Sequence, residues 1–348
     1  MLYFSKTKLL IIYSIITVLT IFSLLNFFNN KNNFILSKKI NLGLDLQGGS
    51  YLLLEVDSKP IINKNLQQKI LEFKKYFKSE KVKYKNLVLE NNIIKFEILD
   101  GNIENFENFF LNKNNLLNPY YEKFRSYEMD YIIKENKIEV VYSKFGLIEI
   151  KSGTVDQSLE IVRRRIDEVG TKDPTIIKRG IDRILIELPG LDDPNRIKNL
   201  LGKTANLSFR LVSDDEENFG TEKLFFEDNV DHLNISKRVI LSGDNLINAK
   251  PSFDNQTNQA VVSFTFDRVG AKKFGKATNN NIGRRIAIIL DDKIISAPVI
   301  QEAILSGNGQ ITGDFTFQSA TDLSLLLRSG ALPAPLEIVE ERTVGPDL

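Results

Sequence analysis

The sequence predicts an α+β protein. Its parts are one N-terminal transmembrane helix, a ferredoxin-like split β-α-β module with an inserted α/β module, and a second small α+β head. Three observations predict it. An almost wholly apolar run fills Leu9–Phe28. Beyond it, segments with strand and helix periodicity follow the order β, α, β, β, α, β. A stretch rich in Asn and Lys interrupts that order after its first strand, and another strand-and-helix unit comes after its last.

The apolar run is broken only by Ser14, Thr17, Thr20, Ser23 and Asn26. Roughly 20 residues make about 30 Å of helix, enough to cross a bilayer core. Ser and Thr are tolerated there because they bond back to their own helix. A cleaved signal peptide is the alternative, with Lys6 and Lys8 as its basic region. The run exceeds the usual ~7–15-residue apolar core of such a peptide, and no small-x-small cleavage site follows it. An uncleaved anchor is therefore expected. Lys6 and Lys8 precede the run and Lys31, Lys38 and Lys39 follow it, so loop charge does not orient it. No second apolar span precedes Leu348, which puts everything from about Asn29 onward on one side of the membrane.

The turn Gly48-Gly49 leads into a first strand at 51–56. The Asn- and Lys-rich insert then reads as a helix at 64–77, a hairpin at 87–98 through Asn91-Asn92, a helix at 103–110 and a second hairpin at 131–142. Thr154-Val-Asp-Gln157 fits a capping box, with a helix running to Val169 and stopping at Gly170. Strands follow at 175–178 and 183–188. Asp193 as cap and Pro194 at the first position start a helix that ends at Gly202, and 205–212 is read as the strand that closes the sheet. Residues 213–237 read as a polar, acidic linker. Strands at 238–241, 260–266, 285–290 and 293–296 follow, with a helix capped by Asp267, a further short strand at 310–312 to close the sheet and a return helix at 319–329. Pro333 and Pro335 force an extended exit. The expected division is 1–29 for the tip and transmembrane helix, 40–57 with 150–212 for the base, and 58–149 for the insert. The linker takes 213–237, the head 238–316, and the return helix and exit 317–348.

Composition narrows the function. Formal net charge is +1, which asks for no nucleic acid or acidic substrate. With 0 Cys and 1 His, a cysteine nucleophile is absent and a metal site has few ligands to draw on. The Gly-rich stretch 42–49 lacks the G-x-x-x-x-G-K-[ST] pattern and enters a strand rather than a helix, so it offers phosphate no amide cradle. Arg163, Arg164 and Arg165 read as a solvated helix face. Asp192-Asp193 and Asp291-Asp292 read as a cap and a turn, and His232 as a solvated side chain. No serine has a histidine and carboxylate in company. No enzyme, cofactor or metal is expected.

Several motifs carry a family resemblance. Gly43-Leu-Asp-Leu-Gln-Gly-Gly49, with Asp45 inside it, stands just after the apolar run. Val162–Gly170 (VRRRIDEVG, including Arg164) and Arg183–Gly190 (RILIELPG, including Pro189) follow in order. So do Leu326–Pro335 (LLRSGALPAP, with Arg328, Gly330 and Pro333) and Glu340–Pro346 (EERTVGP, with Glu341, Arg342 and Gly345). Together these resemble the SecD/SecF family of translocase subunits, within the resistance-nodulation-division superfamily. The resemblance implies an inner-membrane protein with its amino terminus in the cytoplasm and its bulk in the periplasm. It implies work on unfolded preprotein beside the lipid bilayer, with SecF, the SecYEG channel and YajC as partners. That work draws on the proton-motive force. The family has six spans, with the proton-carrying residues in the later ones, so the chain is expected to be a fragment that does not itself couple protons. It also implies a mobile head that meets preprotein, for which Lys293, Ser296 and Gln301 are the candidate contacts; the acidic linker and the Gly307/Gly309 loop, where few apolar contacts would resist rotation, are the candidate hinges. The alternative is a single-span periplasmic scaffold or binding module without transport activity.

Overall fold

The computed structural model describes residues 6–28, 48–99, 103–171, 173–190, 194–213, 220–227, 229–254 and 257–345, with 22–28 and 344 described by backbone only. Helix α1 spans Lys6–Phe28. Its apolar side chains are exposed around the helix, Leu10 by 71%, Tyr13 by 63% and Leu19 by 64%. Thr17 and Thr20 donate to the carbonyls of Tyr13 and Ile16, as expected of hydroxyls in an apolar helix. No helix among the described residues is long and apolar enough to cross a membrane. The expected span 9–28 lies partly outside the side chains described.

The ferredoxin-like base is a four-stranded antiparallel sheet in the order β18-β1-β9-β8. Its strands are β1 (Gly49–Val56), β8 (Thr175–Arg179), β9 (Arg183–Pro189) and β18 (Leu336–Val344). Two helices supply its packed face, α4 (Lys144–Val169) and α5 (Pro194–Gly202). Leu52, Leu54, Val162, Ile166, Ile184, Ile186 and Ile197 form the core between them. The order β, α, β, β, α, β is as expected, but the closing strand is not 205–212. It is β18, and everything between α5 and β18 is inserted. Burial explains the exchange. Strand β10 (Leu207–Val212) sends Leu207 and Phe209 into one core and Val212 into another. A sheet covered on one face cannot bury both sides of a strand, whereas β18 leaves Ile338 and Val339 exposed.

Helix α4 is also capped eleven residues before the expected cap at Thr154. Ser143 caps it, its Oγ accepting from the Gly146 amide, and Thr154 bonds to the Ile150 carbonyl instead of capping. The first turns serve a different core. Leu147 and Ile150 pack on the insert, and Val155 onward packs on the base.

The insert has helices α2 (Lys59–Ser79) and α3 (Ile103–Phe110) over a sheet β2-β3-β7-β6. The strands are β2 (Tyr84–Glu90), β3 (Ile93–Ile98), β6 (Met129–Lys134) and β7 (Lys137–Tyr142), with the short pair β4 (Tyr120–Tyr121) and β5 (Ser126–Tyr127) beside them. Phe73, Phe77, Phe96, Phe106 and Phe110 fill its centre, with neighbouring rings 5.2–6.2 Å apart. Burial, and then Glu80, pushes the Tyr76 phenol up to about 12, and burial, and then Glu128, does the same to Tyr121. The folded insert therefore holds these protons more tightly than the unfolded chain. Its stability is full below pH ~10 and falls as pH rises from there towards 12. Tyrosinate absorbance should show a step that coincides with loss of far-UV dichroism in that window. Ionisation of every tyrosine near pH 10 with the fold intact would contradict this packing.

The head joins two β layers. Strands β10, β11 (Thr221–Phe226), β12 (His232–Ser242), β15 (Ile286–Leu290) and β16 (Lys293–Ser296) close a barrel. Strands β13 (Leu246–Phe253), β14 (Ala260–Phe266) and β17 (Asn308–Phe315) form a second sheet, with helices α6 (Arg268–Asn279) and α7 (Phe317–Ser329). Strand β15 is buried along its whole length because it serves both layers. Ala287 and Ile289 face the barrel core, while Ile286, Ile288 and Leu290 join the larger core with Phe264, Phe266, Phe274 and Leu326. The described residues of the expected linker 213–237 fall largely in β11 and the start of β12, and 214–219 and 228 lie outside those described. Leu224, Phe226, Leu233 and Ile235 supplied an alternation too short to stand out among acidic residues. The expected hinges at Gly307 and Gly309 are close-packing sites. A Cβ at Gly307 would lie 2.5 Å from that of Ala271, and one at Gly309 would lie 2.4 Å from the Phe264 ring.

Candidate functional site

Three of the motifs meet at one end of the base sheet. Gly49 is in register with Pro189 on one side and Val344 on the other, and the Gly190 amide donates to the Gly48 carbonyl at 2.9 Å. Gly48, Gly49 and Gly190 have φ of 69°, 145° and 62°.

The remaining motifs meet at the joint between base and head. The chain crosses that joint twice, outward through Lys203–Asn206 and back through Gly330–Leu332. Arg165, 1% exposed, holds both crossings. It donates to the carbonyls of Leu200, Lys203, Thr204 and Gly330. Burial lowers its pKa to about 10, opposed by Asp291, so it stays a cation at neutral pH. Asp291, at the β15–β16 turn, accepts from the Thr204 hydroxyl and from the amides of Ala205 and Asn206, and so fastens the outward crossing to the barrel. Arg328 on α7 reaches Glu168 on α4 at 2.5 Å and the Ala249 carbonyl at 2.7 Å. Arg196 on α5 pairs with Asp322 on α7 at 2.8 Å.

Beside this joint lies a cleft of about 780 Å³. Asn195, Arg196 and Asn199 of α5 form the base wall. Phe226, Ile294 and Ile295 of the barrel, with Phe315 and Asp322 near the start of α7, form the head wall. Lys203, Glu227 and Asp314 also line it, so charged groups stand among the apolar side chains and amides.

Three family profiles match this chain in chain order. The SecD/SecF GG motif matches residues 34–60, and the N-terminal part of the P1 domain of protein translocase subunit SecDF matches 155–214. The SecDF P1 head subdomain matches 221–334. Protein translocase subunit SecD of Rickettsia conorii is 42% identical over 338 residues, 93% of this chain and 62% of that protein. The chain belongs to the SecD family.

The SecD of Acetobacter pasteurianus is 39% identical over 323 residues, covering 89% of this chain and 60% of that protein. The chain thus spans about three-fifths of the length of the SecD relatives it matches. The crystal structure of SecDF in super-membrane-facing form shares the fold, with TM-score 0.53 and 24% identity over 95% of this chain and 35% of that one.

Set against the SecD motifs, the expected site residues fall into three groups. Gly43, Asp45 and Pro346 lie outside the described residues. Gly48, Gly49, Pro189 and Gly190 are brought together at one end of the base sheet, and β18 carries Glu341 and Arg342 away from it. Glu341 pairs with Lys198 of α5 at 2.9 Å, Arg342 lies over the Tyr51 ring, and Gly345 follows the strand. Gly170, Arg328, Gly330 and Pro333 sit at the joint or beside it. Arg164 is exposed, and its neighbour is the residue the joint uses. Arg165 corrects the reading of all three arginines as solvated. It was legible in part, since at 3.6 residues per turn it shares an arc with Val155, Val162 and Ile166. Lys293 and Gln301 are exposed and Ser296 is half-buried, its hydroxyl 3.5 Å from that of Thr312. None of the three lines the cleft, whereas Ile294 and Ile295 do. The hairpin they belong to offers no free edge at its start, because β16 pairs with β15 on one side and with β11 at Lys293–Ile294 on the other.

Proposed function

We propose that this chain serves protein export across the bacterial inner membrane, holding segments of emerging preprotein on the periplasmic side. The cleft between base and head carries this reading. An unfolded polypeptide presents apolar side chains and free backbone groups together. The cleft answers with Phe226, Ile295 and Phe315 beside the amides of Asn195, Asn199 and Gln318. Its two walls belong to different units, so its width depends on the joint fastened by Arg165 and Arg328. The role is mechanical rather than enzymatic. SecF, the SecYEG channel and YajC are its proposed partners, within an assembly that draws on the proton-motive force.

Helix α1 is the proposed anchor, continuing through Phe28. A helix apolar on every face and covered by nothing in the described chain suits lipid, not water. Alkaline carbonate extraction should leave the chain in the membrane pellet, and its release would refute the anchor. Photocrosslinkers at Asn199, Ile295 and Gln318 should label an arrested preprotein more strongly than those at Lys293, Ser296 and Gln301. Labelling confined to Leu116 in the insert would move the client site and end this reading.

A further inference from the structure

We infer that the outer face of helix α6 is a docking surface for the anionic headgroups of a lipid bilayer. The 23 residues from Arg268 to Leu290 contain 6 Lys or Arg and 0 Asp or Glu, in a chain whose net charge is only +1. Four of these cations, Arg268, Lys272, Lys273 and Lys276, lie on α6 and are exposed. At 100° per residue they occupy one arc of about 140°, opposite buried Gly270, Phe274 and Thr278. None of the four makes an ion pair within 4.0 Å among the described residues. Asp267, the acid nearest to them in sequence, is already engaged as the helix cap, accepting from the Gly270 amide. Lys273 feels its charge only at longer range.

Within that arc stands Val269, 56% exposed, and on its flank Leu305, 74% exposed, against Gly275. Cations around projecting apolar side chains suit the boundary between headgroups and acyl chains. The apolar tips enter, while the lysine stems lie along them and lift the ammonium groups to the phosphates. An acidic polypeptide would match the charge but not the apolar tips. It would also favour a groove, and neither the cleft beside the joint nor the one at the β8–β9 turn includes a residue of α6. The inference rests on the proposed anchor, which keeps a bilayer within reach of the head.

The chain has 0 Cys, so one introduced cysteine takes a single dye. The full chain, carrying Val269→Cys with a polarity-sensitive dye, is reconstituted in vesicles of phosphatidylcholine with or without phosphatidylglycerol. Headgroup-nitroxide lipids serve as quencher, and Leu116→Cys in the insert serves as control. Quenching at position 269 is expected only with phosphatidylglycerol, and it should be lost in high salt. Each of Lys272→Gln, Lys273→Gln and Lys276→Gln should weaken docking about fivefold, with unchanged far-UV dichroism. Equal quenching without phosphatidylglycerol, or quenching indifferent to the three substitutions, overturns the proposal. So does a dye that responds to poly-glutamate and not to the anionic vesicles. Carbonate release of the chain from the vesicles would refute the anchor separately. The dye is then read on chain mixed with vesicles, and it still decides the docking.

Discussion

Replacing Arg165 with methionine is expected to cost the folded chain roughly 3–5 kcal/mol. The guanidinium donates to four carbonyls, and methionine fills much of its volume without replacing a donor. The Thr204 carbonyl keeps its bond from the Leu332 amide, so the loss is smaller than four separate bonds would suggest. The cost falls at the joint. Hydrogen exchange should quicken at 203–206 and 330–332 before it quickens in the sheets, and proteolysis should cut there first. Arg165→Lys should recover part of the loss, since an ammonium reaches some of the carbonyls but cannot span both crossings. Because the lowered pKa is still about 10, the effect should be flat across neutral pH. The folded chain holds this proton less tightly than the unfolded one, so the group's own contribution rises only as pH passes about 10. An unchanged urea midpoint with unchanged exchange at both crossings would show that Arg165 does not fasten the joint.

Gly49→Val is expected to cost about 3 kcal/mol or more, through backbone strain and a collision that no rotamer relieves. At φ 145° the residue occupies a conformation that side chains rarely adopt, and a Cβ there would stand 2.2 Å from the Leu188 carbonyl oxygen. The obstacle is backbone of the neighbouring strand, so relief requires β1 and β9 to part where the Gly48–Gly190 bond ties them. Gly49→Ala should lose most of the same amount, because the first carbon does the damage. Gly153→Ala is the internal contrast. It sits within α4 with nothing within 4 Å of the added carbon, and should stabilise by about 0.5–1 kcal/mol. If Gly49→Ala and Gly153→Ala shift the urea midpoint alike, the close approach is not what requires glycine at position 49.

Much of the candidate site was legible as residues and little of it as an arrangement. The motif glycines at 48, 49 and 190 and the arginine at 328 were readable, each at a turn or on a helix. Their meeting places were not. Gly49 pairs with Val344, and Arg165 bonds to Gly330 across 165 residues of chain. The triple arginine shows why. Its composition looks solvated, and only the arc shared with Val162 and Ile166 hints that the third member turns inward.

The sequence by itself determined the alternation of strands and helices, the apolar α1, the inserted module and the family, because periodicity and motifs are set by residues close along the chain. Tertiary structure alone decided that β18 rather than β10 closes the base sheet. It also decided that α4 starts at Lys144 to serve two cores, that β11 and β12 join β10, β15 and β16 in a barrel, and that Gly307 and Gly309 are packed rather than hinged. In each case the deciding quantity is which side of an element finds apolar cover. Residues distant in sequence supply that cover, and local pattern carries no record of them.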